Sequence, residues 1–439
     1  MEKTTSTNCT FIISDFEQVK SKVLNWTKRF NTFCFLDNHQ YQIKPHTMEC
    51  LLAAGVKRQF TIDTANTITS LQDFINEKNG WLFGHIGYDL KNEIEKLSSA
   101  KPDFIRFPDM FFFEPEVVIK LSENEITIEA VNPDEVYKEI EETGFLNATS
   151  DTDELSIKGR ISKEEYIDII HQLKHHIHRG DCYEINFCQE FFADDVIIDP
   201  TEVYKKLSTV SPNPFSALYR MNEKWLICAS PERFIKKQGC QIISQPIKGT
   251  SKRIPGDVDK DLQNRNELQQ SNKDRAENVM VVDLVRNDLA KLCKEGSVKV
   301  DELYGIYSFP QVHQMISTVS GELKEDVTFT DIIKATFPMG SMTGAPKKKV
   351  MELIEIYEKT KRGIFSGAVG YISPADDLST KQPDFDFNVV IRSIMYNAEE
   401  KYVSFQAGSG ITFYSDPEKE WEECLMKAEA IKKVLMKNS

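Results

Sequence analysis

The chain has no run of the roughly 18 apolar residues that a membrane-spanning helix needs. Its cysteines, nine in all, form no CxxC pair and are odd in number. That points away from a disulfide framework and towards a reduced, cytoplasmic protein. Glycine and proline are modest, 20 and 17 of 439 residues, too few for a collagenous or low-complexity chain. An excess of positive charge is also missing: 54 Lys and Arg stand against 68 Asp and Glu, a net charge of −14. Binding to nucleic acid or to an anionic membrane takes a basic face, so neither partner is expected. The first ten residues are polar, and only Phe11-Ile12-Ile13 follows, so no secretory apolar segment is expected. No cysteine sits in a Gly-x-Cys-x-Gly elbow. What remains is 40% hydrophobic and 28% charged residues, the make-up of an ordinary soluble globular protein.

No repeat of 20–50 residues is visible. The most loop-like internal stretch is 143–159, polar and without periodicity, and the division into an N-terminal segment, 1–150, and a second domain, 160–436, is placed there. Asp134–Glu142 reads as a short charged helix. Ser162-x-x-Glu165 is a capping box, followed by an apolar stripe at Tyr166, Ile169, Ile170, Leu173 and Ile177, with Gly180 as the stop. Tyr183, Ile185, Phe187, Gln189 and Phe191 alternate as a strand with one buried face, and 225–229 and 241–244 are further strands. Arg275–Leu292 is helical, with Val281, Val282, Val285, Leu289 and Leu292 on its apolar side. A second capping box, Ser415-x-x-Glu418 with Pro417 in the first turn, opens a last helix striped by Trp421, Leu425, Ala428, Ile431 and Leu435. The pattern predicts an α+β protein, antiparallel sheets with helices outside.

Several groups of residues are chemically suggestive. His171, His175, His176 and His178 include an i,i+4 pair, but no HExxH glutamate accompanies them. Histidines at a helix C-terminus, offsetting its dipole, are the better account. Gly340–Lys347 fails the phosphate-loop template, with Ala345 and Pro346 where Gly and Lys belong, and reads as a tight turn offering N–H groups to a carboxylate. Glu277 and Glu423 lie on separate predicted helices. Each alone reads as a solvated charge, Glu423 paired with Lys427; two carboxylates from different helices are also what a six-coordinate Mg²⁺ needs, but spacing alone does not bring them together. Lys248, in Gln245-Pro-Ile-Lys-Gly-Thr250 after a strand, is either surface decoration or a nucleophile. Glu232, after Ser230-Pro231, is either a partner of Arg233 or an acid at a strand end.

Read in order, Ser230-Pro-Glu-Arg-Phe234, Pro246-Ile-Lys-Gly-Thr250, Glu277-Asn-Val-Met-Val-Val-Asp-Leu-Val-Arg-Asn-Asp288, Phe337-Pro-Met-Gly-Ser-Met-Thr-Gly-Ala-Pro-Lys347, Arg362-Gly-Ile-Phe-Ser-Gly-Ala-Val-Gly-Tyr371, Ile391-Arg-Ser393, Ala407-Gly-Ser-Gly-Ile411 and Ser415-Asp-Pro-Glu418 resemble the chorismate-utilising enzymes: anthranilate synthase component I, aminodeoxychorismate synthase component I, and isochorismate and salicylate synthases. The match spans about 162–433, and Gly84-His-Ile-Gly-Tyr-Asp-Leu-Lys-Asn92 resembles the family's first segment more loosely. The resemblance implies two packed, mainly antiparallel sheets flanked by outer helices, with chorismate and Mg²⁺ between them. By position it makes Glu277 and Glu423 the metal ligands. It gives Gly249, Thr250, His313, Arg392 and the Gly408-Ser409-Gly410 backbone to substrate binding. Chorismate carries two carboxylates and the chain a net charge of −14, so the site needs Mg²⁺, Arg392 and oriented N–H groups to make its field locally positive.

Within the family, Pro-Ile-Ala-Gly-Thr marks anthranilate synthases and Pro-Ile-Lys-Gly-Thr aminodeoxychorismate synthases; Lys248 places this sequence with the latter pattern. The implied mechanism has Glu232 as general acid towards the 4-hydroxyl while Lys248 adds at C2, after which ammonia adds at C4 and expels the lysine. The product is 4-amino-4-deoxychorismate, precursor of p-aminobenzoate and folate. A free amine at Lys248 requires a lowered pKa, expected from desolvation and from Arg392 and Mg²⁺ nearby. Isochorismate synthases carry a water-activating Lys where Glu184 stands here. The lack of a thiol elbow implies a separate glutamine amidotransferase subunit as ammonia source. Phe365, Met339 and Ile411-Thr-Phe-Tyr414 depart from the family pattern, and Leu51–Ala54 resembles its tryptophan-pocket segment only weakly. The alternatives are anthranilate synthase component I and a non-catalytic scaffold relative; joint presence of Lys248, Glu232, Glu277 and Glu423 speaks against the second.

Overall fold

The computed structural model describes residues 6–41, 49–62, 67–144, 155–375 and 382–436. Among them every strand pair is antiparallel, in two large sheets. One runs in the order Thr7–Ile12, Glu125–Ala130, Val117–Leu121, Cys50–Ala54, Thr32–Asp37, Phe215–Met221, Lys224–Ser230, Ser393–Asn397, Tyr402–Ile411, Glu184–Ala193 and Gly344–Ala345, with Lys158–Gly159 also on Glu184–Ala193. The other runs Ile247–Lys252, Val312–Glu322, Gln241–Gln245, Arg233–Gln238, Phe385–Val389, Ala368–Ile372, Leu82–Ile86, Met110–Glu114 and Arg58–Thr61, with Lys299–Ser308 on Val312–Glu322. This is the expected α+β architecture. Segments 1–150 and 160–436 contribute to common sheets: Thr32–Asp37 pairs with Phe215–Met221, and Leu82–Ile86 with Ala368–Ile372. Residues 145–154 of the expected boundary loop lie outside the described residues.

The central strands of the first sheet, such as Thr32–Asp37, Cys50–Ala54 and Lys224–Ser230, are buried on both faces, which explains their largely apolar sequences, whereas the edge strand Thr7–Ile12 is mostly exposed. Alternate residues, such as Phe35, Leu52, Phe187, Ile227 and Phe405, form a core with the helices Phe16–Trp26, Lys163–His178, Pro200–Val210 and Pro417–Leu435. The residues between them, such as Cys34, Ala53, Cys188 and Leu226, join a second core with Ile235, Phe387 and Val389 of the other sheet. The strand expected to have one buried face is therefore buried on both, and Tyr183 lies outside it, exposed. That parity decides where chemistry is located. In Glu184–Ala193, the even-numbered residues Glu184 and Cys188 face away from the helix-side core that holds Ile185 and Phe187.

The expected helices are present at Pro133–Glu142, Lys163–His178, Asn272–Ala290 and Pro417–Leu435. Two caps differ from expectation. Ser162 accepts from the Glu165 N–H, but the Glu165 carboxylate pairs with Lys359 at 2.7 Å. The last helix is capped by Asp416, which accepts from the N–H groups of Glu418 and Lys419, while Ser415 turns back to accept from Thr412. Aspartate adds a negative charge to the helix N-terminus, which serine lacks.

Candidate active site

Two sheet-to-sheet crossings build the site. The chain leaves the first sheet at Ser230 and enters the second at Arg233, so Glu232 sits in the crossing. It returns between Val389 and Ser393, carrying Arg392 at φ +49, a left-handed conformation uncommon for a non-glycine residue. The crossings are bonded to each other's surroundings: Val389 N–H donates to Glu232 O at 3.0 Å, and Ala229 N–H to Arg392 O at 3.2 Å. Glu232 is buried, and the Ser230 hydroxyl accepts its backbone N–H. Burial pushes its carboxyl up to about 7, against the opposing pull of the Ser341 hydroxyl, Lys248 and Arg392. Arg392 in turn is lowered to about 10 by burial, with Glu232 as its charged neighbour.

Lys248 comes from the edge strand Ile247–Lys252, whose pairing with Val312–Glu322 shifts register between Ile247 and Thr250. Such a bulge turns side chains out of the ladder. Gly249 makes it possible: its φ is +94, and a β-carbon there would lie 3.0 Å from Asp274 Cβ at the start of helix Asn272–Ala290. The Lys248 side chain is 11% exposed, and its Nζ donates to Glu184 Oε1 at 2.5 Å. Here the structure corrects the expectation of a depressed lysine. Burial does lower its pKa, but Glu184, Glu277 and Glu232 outweigh burial, and the net shift is upward. Lys248 rests as an ammonium.

Glu277, on helix Asn272–Ala290, is pushed up to about 7 by burial, with Lys248 pulling the other way. Its Oε1 is buried without a hydrogen-bond donor, and Lys273 stands 3.9 Å away. Glu423, on helix Pro417–Leu435, is paired with Lys427 at 2.7 Å. Burial raises its pKa, but Lys427, Lys273 and Lys248 together bring it below the usual carboxylate value. Lys248 and Lys273 thus act on both carboxylates, which gathers the two about common positive charge. No group of three or more Asp, Glu, His or Cys side chains arranged to hold a metal is present among the described residues. The orphaned oxygen of Glu277 is the feature that fits a hard cation such as Mg²⁺.

The strand Tyr402–Ile411 brings the glycines. Opposite Glu184–Ala193, Gly408 pairs with Cys188 and Gly410 with Asn186. A β-carbon at Gly408 would fall 1.9 Å from Phe187 O, and one at Gly410 2.7 Å from Glu184 Oε1. Ser409 points the other way, donating its hydroxyl to Glu420 Oε2 at 2.5 Å, so only its backbone serves this side. Thr250 is exposed and opposite Gln314. His313 is buried, bonded to the Ser308 hydroxyl at 2.8 Å and 3.3 Å from Asp261, which is itself held by Arg253. Its Nδ1 is thus engaged by Ser308, while its Nε2, close to Asp261, is buried without a hydrogen-bond partner. His176 is likewise taken, by Asp181 and Tyr357.

Three further residues escaped the sequence reading. Glu184 was considered only as a substitute for a lysine, yet it is 1% exposed and touches Lys248. An acidic residue opening a strand of alternating apolar residues was the available signal, shared with Glu190 further along. Glu358 and Arg362 form a buried bidentate pair (2.6 and 2.9 Å), and Arg362 also donates to Met342 O and Asn186 O. That fork fixes the Gly340–Met342 turn against the strand that carries Glu184. The turn presents Ser341 to Glu232, whereas Phe365 and Met339 are buried in the core shared by the sheets.

A family model described as chorismate binding enzyme matches residues 28–433. The chain belongs to this family. It is 33% identical over 361 residues to aminodeoxychorismate synthase component 1 of Escherichia coli, covering 82% of this chain and 77% of that one. To anthranilate synthase component 1 of Aquifex aeolicus it is 33% identical over 377 residues, covering 81% and 74%. Among solved structures, anthranilate synthase component I from Streptococcus pneumoniae superposes with a TM-score of 0.77 at 24% identity, over 90% of this chain and 94% of that one. The two-sheet architecture is therefore the family fold. Among the described residues, no helix is long and apolar enough to cross a membrane.

Proposed function

We propose that the protein is an aminodeoxychorismate synthase component I, converting chorismate and ammonia to 4-amino-4-deoxychorismate. The observation that carries this reading is Lys248, buried at the meeting of the two sheets, with Glu232 nearby. The family's members divide on whether this position is a lysine or an alanine. Glu232, with its carboxyl raised to about 7, keeps a substantial protonated fraction at neutral pH and serves as the acid for the departing 4-hydroxyl. Lys248 supplies the nitrogen that adds at C2, and ammonia then adds at C4 and releases it. Arg392 and the Gly408–Gly410 backbone are suited to the substrate's anionic groups. Glu277 and Glu423 would hold Mg²⁺, which, when bound, offsets carboxylate charge.

Ammonia would come from a separate glutaminase subunit. Cys34, Cys50, Cys182, Cys188, Cys228, Cys293 and Cys424 are buried, and burial pushes each thiol up, the reverse of what a nucleophilic thiol requires. A second reading, anthranilate synthase component I, has equal identity behind it. Product mass after incubation with chorismate, Mg²⁺ and ammonium separates them. Aminodeoxychorismate is expected from the wild type, with severe loss in Lys248→Ala and no rescue in Lys248→Arg, whose guanidinium stays protonated. Anthranilate as the main wild-type product, or an unimpaired Lys248→Ala, selects the second reading.

A further inference from the structure

Glu184 is the one group bonded to Lys248 that this mechanism leaves without a task. Its Oε1 accepts from Lys248, and its Oε2 is buried with no donor. A buried acceptor left unmet costs on the order of 1–3 kcal/mol, so pairing with Lys248 through Oε1 alone does not account for the second oxygen. The backbone on both sides makes room for it. Gly344 has φ +141, and a β-carbon there would lie 2.1 Å from Glu184 O; Gly410 leaves the line from Glu184 Oε1 to Lys248 Nζ clear. The other charges facing Lys248 are Glu232 from the crossing, Glu277 from helix Asn272–Ala290 and Glu423 from helix Pro417–Leu435, while Arg392 faces Glu232. Those carboxylates favour the ammonium. Among the described residues, Glu184 is the acceptor within hydrogen-bond reach of Nζ.

We propose that Glu184 is the proton acceptor for Lys248, taking the ammonium proton through their 2.5 Å hydrogen bond before Nζ attacks and returning it when the lysine is released. This rests on the reading of Lys248 as nucleophile. The step balances. Proton transfer gives a neutral amine and a carboxylic acid. The Nζ–C2 bond forms, the ring double bonds shift, the C4–O bond breaks, and Glu232 protonates the departing oxygen, which leaves as water. Ammonia then forms the N–C4 bond as Nζ–C2 breaks. The product nitrogen keeps its three hydrogens as an ammonium, Nζ leaves as a neutral amine, and Glu184 gives its proton back. Only Glu232 must be reloaded from solvent.

The test isolates the first half of the reaction. The full chain is mixed with chorismate and Mg²⁺ without ammonia, quenched, and weighed intact for an adduct of chorismate less water, mapped to Lys248. Wild type is expected to form it. Glu184→Gln keeps a hydrogen bond but accepts no proton, so its rate at pH 7 should fall about 100-fold or more. The ratio of variant to wild-type rate should then climb tenfold per pH unit, as solvent takes over deprotonation; comparing the ratio cancels the titration of Glu232. Glu184→Asp should be slower than wild type with a flat ratio, and decides the matter if the glutamine variant does not fold; a sloped ratio there overturns the proposal. Equal rates and profiles in wild type and Glu184→Gln would overturn it while leaving Lys248 as nucleophile. No adduct on wild-type Lys248 would overturn both.

Discussion

A β-carbon at Gly410 would lie 3.0 Å from Lys248 Nζ and 2.7 Å from Glu184 Oε1. The obstruction involves the ends of two flexible side chains, so Gly410→Ala is expected to fold and to displace the pair. We expect kcat to drop at least tenfold with little change in unfolding midpoint, since small misplacements of reacting groups cost large factors in rate. Gly408→Ala is the contrast. Its β-carbon would meet Phe187 O at 1.9 Å, in the backbone of the neighbouring strand. There the loss should be of stability, read as a lower denaturation midpoint.

Glu232 links activity to pH. Its carboxyl, near 7 rather than 4.5, supplies the acid form below that value. At a fixed concentration of free ammonia, turnover should therefore fall about tenfold per unit as pH rises above 7. The same shift has a sign for stability. A carboxyl whose pKa is raised on folding adds stability below its unfolded pKa and loses it between 4.5 and about 7. Glu232→Gln removes the charge. It should be the more stable protein at pH 8, by on the order of 3 kcal/mol, and lose that advantage below pH 4.5. Denaturant midpoints at pH 4 and pH 8 measure the stability difference, and turnover in the variant should be down about 100-fold or more.

The fold was legible where periodicity met clear stops. Ser162 and Gly180 bracket a helix, and the stripe from Trp421 to Leu435 makes another. The strand at Ile185–Phe191 was legible through its alternation, but alternation does not show that the more polar residues between, such as Glu184 and Glu190, are buried as well. Of the candidate site, Lys248, Glu232, Glu277, Arg392 and Gly410 were singled out through ordered motifs. Their meeting was not legible, since it depends on two crossings between sheets that no local pattern records. The charge state of Lys248 was misread for a related reason. Desolvation is inferable from a strand end, but the three carboxylates that outweigh it come from three distant stretches of chain.

Nitrogen supply gives a further test. The purified chain is expected to turn over with ammonium, and faster as pH approaches the range where ammonia is free, up to the limit set by Glu232. With glutamine alone it should be inactive, because no cysteine sits in a Gly-x-Cys-x-Gly elbow and seven of the nine thiols are buried. Adding a glutaminase subunit should confer glutamine dependence. Glutamate release by the single chain, followed by a coupled assay, would contradict this.

The metal assignment is tested best away from catalysis. Glu277 Oε1 is buried without a donor, whereas Glu423 is already neutralised in part by Lys427 at 2.7 Å. The two ligands should therefore contribute unequally. A cation reaching Glu277 meets an oxygen with no bond to give up, while at Glu423 it must compete with an ammonium. Mg²⁺ binds only the folded chain in this scheme, so it should raise the unfolding temperature in proportion to the logarithm of its concentration above the dissociation constant. Glu277→Gln should abolish that rise and cripple turnover while leaving the fold intact. Lys427→Met should do the reverse for the metal, freeing Glu423 and shifting the response to lower Mg²⁺. EDTA should abolish wild-type turnover and be reversed by added Mg²⁺. An unchanged thermal response in Glu277→Gln, or full activity in EDTA, would remove Glu277 from the ligand set.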